Sequence, residues 1–311
     1  SNSFCTLLGT MAAKLRLYKE KLEGYKKFYQ IVKTIKMVNL AKFRQTVDRV
    51  KARDASVRYT AKCFTSVEEQ AVAMEAAKET MLYVPITTNR GSCGALNSQV
   101  FNYIETVVTP KTKVLGVGKK ANDVCPKRFG DSYLYNVAND FKSPLHFGYA
   151  SFIVENAQKV ENVERTQYVF NRFLSAGAQR MACYNIPKFE KWLENLNEVA
   201  STEKDKANYN FANAVLNNEE TFVRDYYDFQ STMAVLNAVA ENELSEYAAR
   251  MMAVEGQLTN IQQLQHHTSY LYNKTRQGSI TAALIEILSA ISAMEGNASK
   301  GVKKDAFWVA K

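Results

Sequence analysis

Proline is scarce in this sequence and is absent from both of its flanks. All five prolines, and seven of the thirteen glycines, lie between residues 85 and 187 of the 311-residue chain. Proline costs about 3 kcal/mol inside a helix, so its absence is what two long helices require. We therefore expect a long helix, a mixed domain rich in turns and a second long helix, in that order.

Cysteine and histidine are also few, and their arrangement excludes several kinds of site. The five cysteines are odd in number and scattered without a CxxC pair, and two of the three histidines are adjacent, at His266 and His267. This pattern is typical of a reducing compartment and of neither a disulfide scaffold nor a zinc site. We expect no metal centre in this chain.

Long apolar runs and nucleotide-binding motifs are missing. No apolar run approaches the roughly 20 residues that span a bilayer, so no membrane span is expected. The glycines at Arg90–Gly94 and Gly116–Lys120 lack the spacing of a dinucleotide fingerprint or a P-loop, and the first set is interpreted as a tight turn before a helix. A nucleophile at Cys93 beside His146 lacks a third, orienting group. We expect no catalytic residue and no cofactor.

Acidic residues are few in the first part of the chain and frequent later. Residues 1–62 hold fifteen Lys and Arg against four acids, a larger excess than the net charge of +9 of the whole chain. Residues 225–261 hold six acids against Arg250 alone. This asymmetry favours pairing between the two ends and an acidic partner for the basic helix. The spacing of Glu241, Glu243 and Glu246 predicts an exposed face.

The residues from Glu241 to Met294 predict one helix of more than fifty residues, about 80 Å long at 1.5 Å per residue. Apolar residues recur at alternating spacings of three and four, as in a helix that packs along another helix. The alternation lapses at Gln265 and Thr268. The predicted seam is Leu244, Tyr247, Met251, Val254, Leu258 and Ile261, then Ile280, Leu284, Ile287, Ile291 and Met294.

The first helix is predicted from the same kind of spacing. Its phase slips by one residue midway, as expected when a straight helix drifts across a seam that repeats every 3.5 residues. The residues predicted to face a partner helix are Phe28, Ile31, Ile35 and Val38, followed by Phe43, Val47, Val50 and Val57.

The middle of the chain predicts strands that alternate with helices, which is typical of a parallel or mostly parallel α/β layer. The predicted strands are Met81–Thr87, Lys113–Gly118, one within Asn162–Leu174 and one at Met181–Ile186. Helices are predicted from Asn97 and over Gly148–Val160, and residues 192–218 are predicted as a loop or short strands. The predicted domains are residues 1–67, 68–218 and 219–295, with a tail over 296–311.

The stretch Ile280–Met294, the apolar tip, has no polar face. Eleven of its fifteen residues are apolar, and they occupy every side of the helix. Such a helix requires an enclosing partner, and this one is too short to span a membrane. Just before it, Arg276 offers a planar fork for a carboxylate, which Lys274 does not.

Four stretches of the sequence carry a family resemblance. They are Ile35–Val38 with Ala41 and Lys42, the turn Asn89–Asn97, the strand segment Phe170–Phe173, and Tyr272–Gln277 continuing through Ile280 to Ile287, with Phe147–Gly148 as a weaker fifth. In this order, over most of the chain, they resemble the gamma subunits of F-type ATP synthases. The last stretch is the most specific.

The resemblance implies an α/β fold with long helices, in which an antiparallel coiled coil of the N- and C-terminal helices joins a Rossmann-like α/β domain. It also implies a non-catalytic rotor shaft that couples proton-driven rotation to ATP synthesis. The implied partners are a ring of alpha and beta subunits, epsilon or delta-type subunits at the foot, and the membrane c-ring. The implied location is the matrix side of the mitochondrial inner membrane, with the bacterial cytoplasmic face as the alternative.

The resemblance assigns roles to particular residues. Arg276 and Gln277 match a polar pair that contacts a beta subunit, and Ile35 and Lys36 match the part of the first helix that faces an acidic segment of beta. The residues that match the tip held in a hydrophobic bearing are Ile280, Leu284, Ile287, Leu288, Ile291 and Met294.

The sequence departs from the family in three places. Asn89 and Ser92 replace an acid and an apolar residue of the turn, and Gly278 stands where a helix former is commoner, at a cost of about 1 kcal/mol. The chain also continues past Met294, where most relatives end, and we expect this tail to lie at the far end or the rim of the bearing.

Two other classes of function remain open from the residues alone. The basic first helix fits a coiled-coil scaffold or a nucleic-acid-binding arm, which would bind DNA with a strong salt dependence, whereas a rotor binds no nucleic acid. An enzyme built on the turn Arg90–Gly94 would require nucleotide binding by the isolated chain.

Overall fold

A computed structural model describes residues 2–63, 80–138, 146–201 and 206–305. Helices alternate with strands between two long terminal helices, as the positions of the prolines predict. The elements in order are α1 Asn2–Cys63, β1 Met81–Pro85, α2 Leu96–Val107, β2 Lys113–Val117, α3 Lys119–Phe129, β3 Tyr133–Val137, α4 Phe147–Gln158, β4 Arg165–Ser175, β5 Ala178–Pro187, α5 Phe189–Ser201, α6 Lys206–Leu216 and α7 Glu220–Asp305.

The five strands form one sheet in the order β3-β2-β1-β4-β5. Strands β1 to β4 are parallel, with Leu82 opposite Lys113 and Val84 opposite Tyr168, and β5 runs antiparallel to β4. The four predicted strands are present. Strand β3 was not predicted, because it is short and exposes Leu134 and Tyr135.

Both faces of the sheet are covered, which is why β1 reads as a continuous apolar run. One face packs against α4, α5, α6 and the first part of α7, with Leu82 and Val84 in that core. The other face packs against α2 and α3 and contains Met81 and Tyr83. This arrangement is the predicted Rossmann-like layer.

The prediction of a loop or short strands over residues 192–218 is wrong. The segment contains the end of α5 and all of α6, and its apolar residues recur at helical spacing. Trp192, Leu196, Ala212 and Val215 are buried in the core, which explains why a polar, Asn-rich stretch folds into helices. Residues 202–205, which include the charged residues Glu203, Lys204 and Asp205, lie outside the described residues.

The chain divides into two compact units that differ from the predicted domains. One unit, the sheet domain, comprises residues 36–254. It includes the second part of α1 and the first part of α7, since Val223, Tyr227 and Val235 of α7 belong to the core on one face of the sheet. The start of the last helix is therefore a layer of the α/β domain.

The other unit, the helix pair, comprises residues 1–35 and 255–311. Gln262 Nε2 donates to the Tyr29 hydroxyl at 3.3 Å, and a methyl group added at Gly278 would lie 3.9 Å from Met11 Cε. The residue number on α1 falls as that on α7 rises, so the helices are antiparallel, as predicted.

The contact line within the helix pair agrees with the predicted one only in part. Leu258 and Ile261 of the predicted seam are buried, and so are Val32, Thr268 and Ala282, which were not predicted. The predicted residues Phe28, Ile31 and Ile35 are exposed, as are Ile280, Leu284, Ile287, Ile291 and Met294. In the sheet domain, Val38 is also exposed.

The ends of the long helices also differ from the predicted domain bounds. Helix α7 continues to Asp305, so the predicted tail after residue 295 is helical to that point. Helix α1 is described to Cys63, and its predicted end near residue 67 lies outside the described residues, as do Phe307 and Trp308 of the predicted tail.

Candidate functional site

The strand order identifies where a ligand would bind in a fold of this class. Open α/β sheets bind ligands at the carboxyl ends of the strands, at the point where the strand order reverses. Here β2 and β3 lie on one side of β1 and β4 lies on the other, so this point falls between β1 and β4. Helix α7 contacts the end of β4 and the turn after β1 at this point.

Strand β4 is held by side chains of α7 beyond the end of β1. The Asn171 backbone N–H and side-chain Nδ2 both donate to Asn242 Oδ1, at 3.2 and 3.1 Å. Ser245 Oγ donates to the Asn171 carbonyl at 2.8 Å, and the Phe173 N–H donates to Glu241 Oε2 at 3.2 Å. Asn171, Asn242 and Ser245 are buried.

The turn after β1 is held by the next residues of α7. The buried Arg250 forms an ion pair with Glu246, and its Nε donates to the Gly91 carbonyl at 3.4 Å. Burial raises the pKa of the Glu246 carboxyl above its ordinary value, and the nearby cations Arg250, Arg90 and Lys42 oppose that rise. The prediction that Glu241, Glu243 and Glu246 form an exposed face is wrong, because all three are at least half-buried.

The glycine-bearing segment Gly116–Lys120 leads into α3, but its N–H groups are already used. The N–H groups of Lys119, Lys120 and Ala121 donate to Asn89 Oδ1, the Thr88 carbonyl and Thr87 Oγ1, at 3.0, 3.1 and 2.9 Å. Gly118 has a φ of 96°, and an added Cβ there would lie 2.5 Å from the Thr87 carbonyl oxygen. Glycine is therefore required at Gly118 because β1 and β2 approach each other closely there. The N–H groups at the start of α3 already have acceptors within the chain and are not available to bind an anion.

The turn Arg90–Gly94 is closed by its own hydrogen bonds. Asn97 Oδ1 accepts from the Thr88 N–H at 3.2 Å, and Thr88 Oγ1 donates to the Arg90 carbonyl at 2.8 Å. Cys93 is buried beside them, with Asn97 Nδ2 3.3 Å from its sulfur. His146 instead caps α4, where its Nδ1 accepts from the Tyr149 N–H at 3.2 Å. The turn is structural, as interpreted from the sequence.

The residues predicted to contact a beta subunit lie at the surface. Arg276 and Gln277 are exposed on α7 within the helix pair, and Ile35 is 44% exposed on α1 in the same unit. Lys36, the first residue of the sheet domain, is half-buried.

The apolar tip is exposed on several sides of α7. The exposed fractions of its large residues run from 47% at Ile291 to 74% at Met294. The other exposed members are Ile280, Leu284, Ile285, Ile287 and Leu288. Among the residues whose burial the structure describes, Ala282 is the buried member of the tip, and the large apolar residues of the tip are exposed.

By length and composition alone, the described part of α7 is long and apolar enough to cross a membrane. Between Glu220 and Met294 it contains a stretch of 18 residues with a mean hydropathy of 1.3, none of which is buried. A helix that is apolar all round also meets this criterion when other proteins enclose it. Within the described residues, no group of three or more His, Cys, Asp or Glu side chains is placed to hold a metal ion.

Comparison with known proteins assigns the chain to a family. A family model described as ATP synthase matches residues 14–294, and the chain is 57% identical to the mitochondrial ATP synthase subunit gamma of Trypanosoma brucei brucei, over 96% of this chain and 98% of the relative. The chain belongs to the ATP synthase gamma-subunit family. The mitochondrial gamma subunit of Arabidopsis thaliana is 26% identical, over 93% of this chain and 88% of that relative.

Solved structures agree with this family. A chain in the Euglena gracilis mitochondrial ATP synthase, solved as OSCP/F1/c-ring in rotational state 3, matches with a TM-score of 0.82 and 46% identity, over 92% of this chain and 96% of that one. A chain of the Tetrahymena thermophila central stalk and c-ring has a TM-score of 0.56 at 20% identity, over 73% of this chain and 99% of that one, which supports the fold alone.

Sequence reasoning found the exposed residues of this gamma subunit and missed the buried contacts of α7. Asn171 lies in the quoted segment Phe170–Phe173, but nothing in its spacing indicated Asn242 or Ser245 as partners. One signal was available for Arg250, which is the only base in the acidic stretch of residues 225–261.

Proposed function

We propose that this chain is the central-stalk rotor of a mitochondrial F-type ATP synthase, on the matrix side of the inner membrane. It transmits rotation of the membrane c-ring to the catalytic sites of the beta subunits. The identity of 57% with a mitochondrial gamma subunit over almost the whole chain supports this function. So does the likeness to a chain of the Euglena gracilis rotor, with a TM-score of 0.78 and 46% identity over 86% of this chain and 99% of that one.

The observation that carries the proposal is the exposed apolar tip at the end of the helix pair. Seven large apolar residues with exposed fractions of 47–74% would be unfavourable in water, at about 25 cal/mol for each Å². A ring of alpha and beta subunits is the enclosing partner in our proposal. An apolar surface without directed bonds lets the helix turn within that ring, because no orientation is favoured by a hydrogen bond.

The exposed polar pair Arg276 and Gln277 is the proposed contact with a catalytic beta subunit. Arg276 has a planar guanidinium that binds a carboxylate through two parallel hydrogen bonds. Ile35 and Lys36 of α1 are proposed to face an acidic segment of beta, which gives the basic helix its partner. Epsilon or delta-type subunits and the c-ring are the proposed partners of the foot.

Replacement of the resident gamma subunit tests the function. In mitochondria depleted of their own gamma subunit, we expect this chain to purify with alpha and beta subunits and to restore ATP synthesis driven by a proton gradient. A chain that folds, enters mitochondria and purifies without alpha and beta would contradict the proposal.

Substitution of Arg276 tests the proposed contact with beta. We expect R276A to lower ATP synthesis by roughly tenfold or more, since a hydrogen-bonded charged contact contributes about 1.5–3 kcal/mol. R276K keeps the charge without the fork and is expected to restore only part of the rate. The matched control is K274A, which removes an exposed cation two residues away. Equal losses in K274A and R276A would show that charge alone matters and would exclude the specific contact.

A further inference from the structure

We propose that the crevice at the carboxyl ends of β1 and β4 is a torque-bearing joint, in which polar side chains of α7 fix the sheet to the shaft helix. The joint consists of the end of β4, the turn after β1 and one face of α7: Asn171, Phe173, Gly91, Glu241, Asn242, Ser245, Glu246 and Arg250. This inference rests on the proposed rotor function.

The joint completes an edge of the sheet that β1 leaves open. Strand β1 ends at Pro85 opposite Val169, and the Ile86 N–H donates to the Val169 carbonyl at 2.9 Å. Backbone groups of alternate residues point to the same side of a strand, so those of Asn171 and Phe173 face the edge that β1 no longer covers. Unpaired buried backbone groups are costly. Side chains of α7 take the place of the missing strand.

The residues of α7 in the joint follow the helical repeat. Glu241, Asn242, Ser245, Glu246 and Arg250 are spaced by one, three, one and four residues, which places them on one side of the helix. The first three contact β4, and Arg250 pairs with Glu246 and donates to the Gly91 carbonyl in the turn after β1. One helix face therefore contacts both the end of β4 and the turn after β1.

The polar side chains of the joint satisfy buried backbone groups of β4 and also fix the direction of the contact. Asn171 is fully buried, and its Oδ1 has no hydrogen-bond partner in the described part of the chain. Apolar contacts are non-directional and allow sliding, whereas hydrogen bonds shielded from water fix both register and angle. A helix that must rotate together with the sheet domain under load requires hydrogen bonds that fix its register and angle.

The test uses the full chain in assembled, membrane-reconstituted ATP synthase. N242L removes the acceptor of two hydrogen bonds and keeps a side chain of similar size. S245A removes one donor and is the milder change. N122L makes the same substitution at an exposed position of α3 in the same domain and is the matched control.

Hydrogen exchange reports whether the joint is loosened. In N242L we expect the Asn171 amide to exchange roughly ten- to a hundredfold faster, the factor for losing a buried hydrogen bond from a local opening equilibrium. The amides of β1 and all amides in N122L should keep their wild-type rates. Faster exchange over the whole sheet would show a general loss of stability and would overturn the proposal.

The ratio of proton-driven ATP synthesis to ATP hydrolysis reports whether the joint bears load. We expect this ratio to fall several-fold in N242L and less in S245A, while ATP hydrolysis by the assembled enzyme stays near wild type. A wild-type ratio together with fast exchange at Asn171 would overturn the torque-bearing role. If N242L fails to assemble, hydrogen exchange at Asn171 and the ratio of synthesis to hydrolysis are measured in S245A, and these two results test the proposal.

Failure of the rotor function itself gives a different result. In that case the wild-type chain would not support ATP synthesis, and the ratio would be undefined for every variant. The exchange measurement on the chain would still show whether α7 completes the edge of β4.

Discussion

Asn89 connects the first two strand ends of the sheet. Its side-chain oxygen accepts the Lys119 N–H at 3.0 Å and so satisfies a free donor at the start of α3. The resemblance to gamma subunits gives an aspartate as the usual residue here. A carboxylate has the same acceptor and adds a charge that the positive end of a helix favours. The departure at Asn89 therefore keeps the contact and loses only its electrostatic part.

Asn89→Asp is expected to stabilise the sheet domain. The gain should be about 0.3–1 kcal/mol in the free energy of unfolding, the usual size of a charge at a helix N-terminus. Asn89→Ala should cost about 0.5–2 kcal/mol, because the cap is lost. Urea denaturation measures both, with tryptophan fluorescence as the signal in a Trp308→Phe background, so that only the buried Trp192 reports.

The control for this prediction is Asn195→Asp. Asn195 is exposed in the interior of α5, away from the free donors of a helix end. Its substitution should change the free energy of unfolding by less than about 0.5 kcal/mol. An equal gain in both variants would assign the effect to net charge and not to the start of α3.

At the scale of elements, α7 passes through four surroundings along one continuous helix. It begins as a layer of the sheet domain, passes through the joint, pairs with α1 and then carries the exposed apolar tip. Its start near Glu220 could be predicted from periodicity and from the absence of proline, whereas its continuation to Asp305 was not predicted. Its changes of surroundings could not, because periodicity does not show which partner an apolar face meets.

Helix α1 illustrates the same limit. Phe28, Ile31 and Ile35 form an apolar line that was predicted to face α7, yet they are exposed, and Val32 is buried. An exposed apolar residue and one that packs within the chain have the same hydrophobicity, so spacing alone does not show which residues of α1 face α7.

The two parts of the candidate site differed in how well the sequence located them. Arg276 and Gln277 were assigned from the family resemblance and the apolar tip from its lack of a polar face, and their contacts with other subunits stay a prediction. The joint was missed because Asn171 contacts residues 71 and 74 positions away, Asn242 and Ser245. Contacts over such a separation depend on strand order, which local patterns do not contain.

Polar substitution at the apolar tip should separate folding from assembly. Ile287 is 57% exposed, so I287Q should change the free energy of unfolding of the isolated chain by less than about 0.5 kcal/mol. It should nevertheless weaken retention of the chain by alpha and beta subunits, because a polar side chain would enter an apolar sleeve. Thermal unfolding and co-purification with alpha and beta measure the two effects.

Ala282 supplies the contrasting control. It is buried to 9% exposure against its own unit, so A282Q should destabilise the isolated chain, by about 1–3 kcal/mol as in overpacked cores. Destabilisation of the isolated chain by I287Q as large as that by A282Q would show that the tip packs within the chain.

At the scale of the whole molecule, buried tyrosines make stability depend on alkaline pH. Burial raises the pKa of Tyr83 and of Tyr149 from 10.0 to about 12. Between these values each of these tyrosines keeps a proton in the folded chain that it loses in the unfolded chain, as do other buried groups with a raised pKa, among them Tyr103 and Cys125. The stabilisation is therefore fully present below pH 10 and is lost as pH rises through about 12, by about 1.4 kcal/mol per pH unit for each tyrosine.

Tyr83→Phe should change both the level and the slope of this dependence. The Tyr83 hydroxyl is buried without a hydrogen-bond partner in the described residues, so its removal should stabilise the sheet domain by about 1 kcal/mol at pH 8. The variant also loses one of the groups whose pKa burial raises above 10, and the fall in stability from pH 10 to 11 should be smaller than in the wild type by about 1 kcal/mol. Urea unfolding at each pH, followed by Trp192 fluorescence, measures both quantities. Tyr135→Phe, at a position that is 42% exposed, is the matched control. A wild-type slope in Tyr83→Phe would mean that the alkaline loss of stability arises from other groups.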